Sequence, residues 1–137
     1  MAEVHEEGEI GASVDEVWKL VGDFGGFPEA MGAPVTLSGE GIGQTREIAM
    51  GAEPTVERLE ERDEADRRLV YSIVKSPLPV TNYRSTMKLE PAGDGRTKLL
   101  WSSTFDVPDG ADADRGATIV SAIYQGGIAG LQGRFGA

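Results

Sequence analysis

Residues 112–135 read DADRGATIVSAIYQGGIAGLQGRF, and the fold turns on how this stretch is read. Asp112 and Asp114 open it, and negative charge is favoured at a helix N-terminus by the exposed N–H groups and the macrodipole. Ile119, Ile123, Gly127 and Leu131 then recur four apart, with Val120, Tyr124 and Ile128 alongside. That spacing lays one broad apolar stripe along a helix of roughly 20 residues. A single long amphipathic helix must bury its stripe, and the only large partner such a chain can offer is a sheet. What lies between helix and sheet becomes the functional question.

Upstream, the chain supplies that sheet in short pieces. Glu3 to Gly11 alternates weakly, with Val4, Glu6, Gly8 and Ile10 on one side, as a half-exposed first strand does. Ser13 and Glu16 have capping-box spacing at the head of a helix bearing Val14, Val17, Trp18 and Val21 on one face. That helix is expected to stop near Gly22, with Asp23 capping a second short helix to about Met31. Extended segments follow at Val35–Leu37, Gln44–Met50, Thr55–Arg62, Leu69–Lys75, Thr81–Glu90 and Thr97–Val107. Turn signals separate them: GEGIG at 39–43, GAEP at 51–54, DEAD at 63–66, SPLP at 76–79 and PAGDG at 91–95. Short connections between consecutive strands imply an antiparallel meander. The expected fold is α+β: a curved antiparallel seven-stranded sheet wrapped around a long C-terminal helix, with two short helices after the first strand.

The totals narrow the function classes. A chain of 137 residues is read as one domain, 1–137, with a real core. No run is long and apolar enough for membrane insertion, and the N-terminus lacks the basic-then-apolar pattern of a secretory signal. Cysteine is absent, which fits a cytoplasmic protein and excludes thiolate chemistry. Twenty-three acidic residues against thirteen basic give a net charge of −10, which repels nucleic acid. His5 is the only histidine and sits among glutamates, so Ser–His–Asp chemistry and a zinc site both lack their ligands. No cofactor and no metal are expected, and the sequence sets no oligomeric state. The Gly39–Gly43 run falls between strands rather than opening a helix, so it reads as a hairpin turn and not a dinucleotide loop.

Five ordered segments carry a family resemblance: IGASVDEVWKLVGDFGGFPE, GEGIGQTREI, VERLEERDEADRRLVYSIV, PVTNYRSTMKLEP and TKLLWSSTFDVPDG. Together they resemble the polyketide cyclase/dehydrase and START-like (SRPBCC) superfamily, which has the helix-grip fold. Within it, SIV followed by NYRS is similar to the plant abscisic-acid receptors. Their gate is replaced here by Met50-Gly51-Ala52-Glu53-Pro54 and their latch by Pro77-Leu78-Pro79, so hormone sensing is not carried over.

The resemblance implies an inward face, and strand alternation extends it. Arg46, Ile48 and Met50 would face inward on one strand, and Thr55, Glu57 and Leu59 on the next. Tyr71 and Ile73, then Val80, Tyr83, Ser85 and Met87, then Leu99, Trp101, Ser103 and Phe105 continue it. Ile119, Ile123, Gly127 and Leu131 would close the space from the helix. The ligand-contacting set expected from this is Arg46, Ile48, Glu57, Leu59, Tyr71, Ile73, Tyr83, Ser85, Met87, Trp101, Ser103, Ile119, Ile123 and Gly127. A packed core would use the same residues. Gly126, Gly127, Gly130 and Gly133 argue for space, since each costs about 1 kcal/mol in a helix relative to alanine; a frayed helix end accounts for them equally well.

Arg46 and Glu57 are the sharpest pair. A turn at 51–54 would place them on one face of adjacent strands, and an ion pair inside an apolar pocket often marks a ligand site. Arg46 would hold a carboxylate, phenolate or enolate, or else it anchors Glu57. The leading expectation is a carrier of a hydrophobic or mixed-polarity small molecule between sheet and helix. The alternative is a polyketide cyclase or aromatase in which Arg46 stabilises an enolate and Glu57 or Tyr83 moves the proton. A third is a partner-binding module with an incidental cavity.

Overall fold

A computed structural model describes residues 1–49 and 51–137. Seven strands form one antiparallel sheet in the order β1-β7-β6-β5-β4-β3-β2. They are β1 (Ala2–Ile10), β2 (Val35–Ser38), β3 (Thr45–Ile48), β4 (Thr55–Asp63), β5 (Arg68–Lys75), β6 (Thr81–Gly93) and β7 (Arg96–Asp106). From β2 to β7 the chain meanders, each strand pairing with the next. The exception is β1, which returns to pair with β7 from Ala2↔Phe105 to Ile10↔Thr97. The two edges are therefore β1 and β2, and the helices α1 (Val14–Val21) and α2 (Gly26–Ala30) carry the chain from one edge to the other. The long helix α3 (Ala113–Phe135) lies across the inner face.

Local chemistry explains the helix starts. Ser13 Oγ accepts from the Glu16 backbone N–H at 3.3 Å, and its own hydroxyl meets Glu16 Oε1 at 3.2 Å. This satisfies an N–H that has no partner within the helix. Asp23 does not sit at the N-cap of α2, which is Gly25 and has no side-chain cap; instead Asp23 Oδ1 accepts from Gly26 N at 3.0 Å and braces the turn leading into the helix. Asp112 Oδ1 accepts from Asp114 N and Arg115 N at the head of α3. At the other end α3 continues to Phe135, so its glycines lie within a formed helix and not in a frayed end. The Gly136 carbonyl then accepts from Gly11 N at 2.7 Å, tying the helix end to the end of β1.

The buried face of α3 is offset from the expected one. Gly116, Val120, Tyr124, Ile128 and Leu131 are buried, whereas Ile119 and Ile123 are only half-buried on its flank. The stripe is rotated by one residue. Two close approaches account for this. Gly8 on β1 leaves room for Ile128, since a Cβ there would stand 2.6 Å from Ile128 Cγ2. Gly127 lets the helix settle on the Trp101 ring, where a Cβ would stand 2.6 Å from Cζ3. Because α3 leans on β1 and β7, it leaves the middle of the sheet uncovered, and α2 covers the far side. The space between them is the cavity.

Pairing departs from regularity at several places, one of them between Val56 and Glu57 beside the cavity wall. In β4 the register slips between Leu59 and Glu61, and in β6 between Thr81 and Arg84, where Asn82 has φ 51°. A bulge changes which side chains face inward beyond it. Thr81 and Asn82 consequently both lie outside, and strict alternation begins at Tyr83. The inward placement expected for Met50 lies outside the described residues.

Candidate functional site

The cavity measures about 480 Å³ and opens between α2, α3 and strands β3 to β7. Its wall is mostly apolar. Phe27, Pro28 and Met31 come from α2 and its end, Ile48 and Ile73 from the sheet, Leu78 from the β5–β6 connection, and Val120 and Ile123 from α3. Gly126, Gly127 and Gly130 complete the helix side: Gly127 admits the Trp101 ring and Gly130 the Met31 side chain into close approach, while a Cβ at Gly126 would meet nothing within 4 Å.

Arg46 and Glu57 are direct cross-strand partners in the β3–β4 hairpin. Arg46 is 3% exposed and Glu57 8%, so both are removed from water. Arg46 Nε donates to Glu57 Oε1 at 2.8 Å, Nη2 lies 2.8 Å from the same oxygen as an ion-pair contact, and Nη1 donates to the Phe24 carbonyl at 2.8 Å. The Phe24 ring covers the guanidinium at 4.0 Å and the Tyr71 ring lies 4.9 Å away. Arg46 is thus engaged by Glu57. Glu57 Oε2 has no hydrogen-bond partner among the described residues, and Glu57 lines the cavity.

A second polar group is built from hydroxyls. Tyr71, Ser85 and Ser103 form a row across β5, β6 and β7, each paired with the next. Trp101 Nε1 donates to Tyr71 Oη at 3.2 Å and to Ser85 Oγ at 3.1 Å. The Tyr124 hydroxyl donates to Ser85 Oγ at 2.9 Å and is also hydrogen-bonded to the Tyr83 hydroxyl. The Tyr124 ring stacks on Trp101 with centroids 4.3 Å apart. Ser103 Oγ lies beside Tyr124 without completing a hydrogen bond to it and has no other partner among the described residues. Burial pushes the Tyr71 and Tyr83 hydroxyls well above the ordinary tyrosine range, and neighbouring tyrosines and Glu57 push in the same direction. Burial raises Tyr124 as well. These phenols therefore remain protonated hydrogen-bonding groups, and Glu57 is the only carboxylate in the cavity wall among the described residues.

Of the residues expected to contact a ligand, the cavity brings together Arg46, Ile48, Glu57, Tyr71, Ile73, Tyr83, Trp101, Ile123 and Gly127. Leu59 and Met87 lie elsewhere on their strands, buried in the core that also holds Val17 and Val21 of α1. Ser85 and Ser103 sit behind the aromatic rings, where Ser85 supports the wall without forming it. Ile119 falls outside the wall, although Ile123 and Gly127 of the same helix row line it. Sequence reasoning left out Phe27, Pro28, Met31, Leu78, Val120 and Tyr124 from the expected contacts. Tyr124 was signalled only as a neighbour of the stripe, and α2 is too short to show any periodicity.

His5 meets Glu7 at 3.1 Å on the exposed face of β1, remote from the cavity lining. Among the described residues no cluster of side chains suited to a metal ion occurs, and no helix is long and apolar enough to cross a membrane.

A family model described as polyketide cyclase / dehydrase and lipid transport matches residues 1–136. The chain is also similar to solved structures. XoxI from Bacillus cereus is 31% identical, with 98% of this chain and 96% of that one covered and a TM-score of 0.89. A Bacillus thuringiensis protein is 31% identical over 98% of each chain, with a TM-score of 0.88. A Thermobifida fusca protein is 33% identical over 99% of this chain and 94% of that one, with a TM-score of 0.84.

Proposed function

The chain belongs to the polyketide cyclase / dehydrase and lipid transport family, and from that premise we propose that it binds a hydrophobic or mixed-polarity small molecule between its sheet and α3. The observation that carries this reading is the cavity of about 480 Å³, an apolar space into which a few buried polar groups face. Small-molecule sites have this composition and this range of size, with apolar walls for affinity and sparse polar groups for orientation. A core without a ligand role would fill such a space, because unfilled volume costs stability.

The test is binding of an uncharged, environment-sensitive dye such as Nile red, with native mass spectrometry of the purified protein for any retained occupant. Ile123→Trp places a large side chain at a half-buried position of the wall. The dye is expected to bind the unmodified chain, and this variant is expected to lose most of that binding while keeping its melting temperature within a few degrees. Equal dye binding by both would place the dye elsewhere and count against the cavity.

The cyclase-type reading has one observation in its favour, the protonated hydroxyl cluster of Tyr71, Tyr83 and Tyr124 at the cavity wall. Such donors would stabilise charge developing on a substrate oxygen. Conversion of a poly-β-ketone analogue by the purified chain, lost in Tyr83→Phe without loss of dye binding, would establish it.

A further inference from the structure

Resting on the reading of the cavity as a binding site, we infer that Glu57 sets the charge class of the ligand: the site takes an uncharged molecule that donates a hydroxyl to Glu57 Oε2, and it rejects carboxylates. Arg46 is the only cation in the cavity wall among the described residues, and it already holds a carboxylate, that of Glu57. Its Nε and Nη2 both point at Glu57 Oε1, its Nη1 points at the Phe24 carbonyl, and aromatic rings lie against it. An incoming carboxylate would have to displace Glu57, leaving a second negative charge buried without a partner.

Two oxygens of one carboxylate are treated differently here. Oε1 receives the Nε–H bond and the Nη2 ion-pair contact from Arg46, while Oε2 receives no hydrogen bond among the described residues. Glu57 is more than nine-tenths buried and lines the cavity. Oε2 is not among the fully buried atoms without a partner and so surfaces in the cavity, where a hydroxyl brought by a ligand can donate to it while leaving the net charge of the pair at zero. An ionised carboxylate brings no donor to that oxygen and repels it. An ether brings no donor either. Glu57 is thus both the internal occupant of the arginine site and the acceptor that reads the ligand.

The experiment displaces Nile red from the full-length chain at neutral pH and high salt, where attraction or repulsion from the overall net charge is screened. The probes are octanol, octanoate and heptyl methyl ether, the last an isomer of octanol that lacks the donor. Octanol is expected to displace the dye at concentrations about tenfold below those needed for either competitor, as a hydrogen bond to a charged acceptor gives. In Glu57→Gln the guanidinium loses its internal carboxylate, and octanoate is expected to gain about tenfold relative to octanol.

Octanoate or the ether matching octanol on the unmodified chain would overturn the inference and leave the cavity reading intact. Displacement by none of the three would do the same. An unchanged octanoate-to-octanol ratio in a folded Glu57→Gln protein would remove Glu57 from the role. If that variant does not fold, the octanol–ether comparison on the unmodified chain still decides the donor claim. Failure of Nile red itself to bind would instead bring down the binding reading on which all of this rests.

Discussion

At the residue scale the Arg46–Glu57 pair organises the site, and its energetics run in two directions. Breaking a buried pair leaves one charge without compensation, whereas replacing both members with apolar groups of similar volume removes two desolvation costs together. Arg46→Met alone is therefore expected to lower unfolding free energy by about 3–5 kcal/mol in urea titration. Arg46→Met combined with Glu57→Leu is expected to return to within about 1 kcal/mol of the parent, or to exceed it. Equal losses in both would show that Arg46 stabilises through its contacts with Phe24 and Tyr71 and not through its charge. The pairing itself was legible in the sequence, because a hairpin turning at 51–54 fixes Arg46 opposite Glu57. The Phe24 carbonyl that holds Nη1 was not legible. It comes from the segment between α1 and α2, twenty-two residues before Arg46, and nothing in local spacing brings them together.

At the element scale, α3 shows what periodicity can and cannot deliver. Its existence, its extent and its docking on the sheet followed from the apolar stripe and the acidic start. Its rotation did not. Two adjacent rows, one through Ile119 and Ile123 and one through Val120 and Tyr124, carry similar apolar weight, and glycines contribute nothing that distinguishes them. The choice was made by tertiary packing, through Gly127 on Trp101 and Ile128 on Gly8. Helix glycines here consequently divide by what faces them. A Cβ at Gly133 meets nothing within 4 Å, so Gly133→Ala is expected to stabilise the protein by up to about 1 kcal/mol through helix propensity alone. Gly127→Ala gains the same propensity but drives a methyl into a buried indole, and a net loss of about 1–3 kcal/mol is expected. Thermal melts of the two variants against the parent would separate them, and matching gains would mean that Trp101 yields freely. The seven strands were likewise placed by their turn signals, with ends off by up to three residues, the most at the end of β6. Bulges at Leu59–Glu61 and Thr81–Arg84 were hidden, since an extra residue in a strand has no compositional mark.

Across the whole molecule, the three tyrosines of the chain all line one cavity. Each has its hydroxyl raised by burial in the folded state relative to about 10 in the unfolded chain. An acid held protonated by the fold contributes stability that is fully present below its unfolded pKa and is lost as pH rises above it. The melting temperature should therefore be insensitive to these groups through neutral pH and fall steeply above about pH 10. Tyr71→Phe should make that alkaline decline shallower; an unchanged slope would mean the tyrosines do not couple to unfolding. The same concentration of aromatic groups has an optical consequence. Trp101 stacks on Tyr124, Tyr83 lies 6.2 Å from Tyr71, and the remaining indole, Trp18, is held apart by a hydrogen bond to Glu64 at 2.6 Å. Trp101 and all three tyrosines thus share one asymmetric enclosure, and the indole of Trp101 can accept excitation from the phenols around it. One of the two indoles and all three phenols of this protein report on its cavity, so an arriving occupant that carries no label of its own would still announce itself in the circular dichroism and emission of the protein.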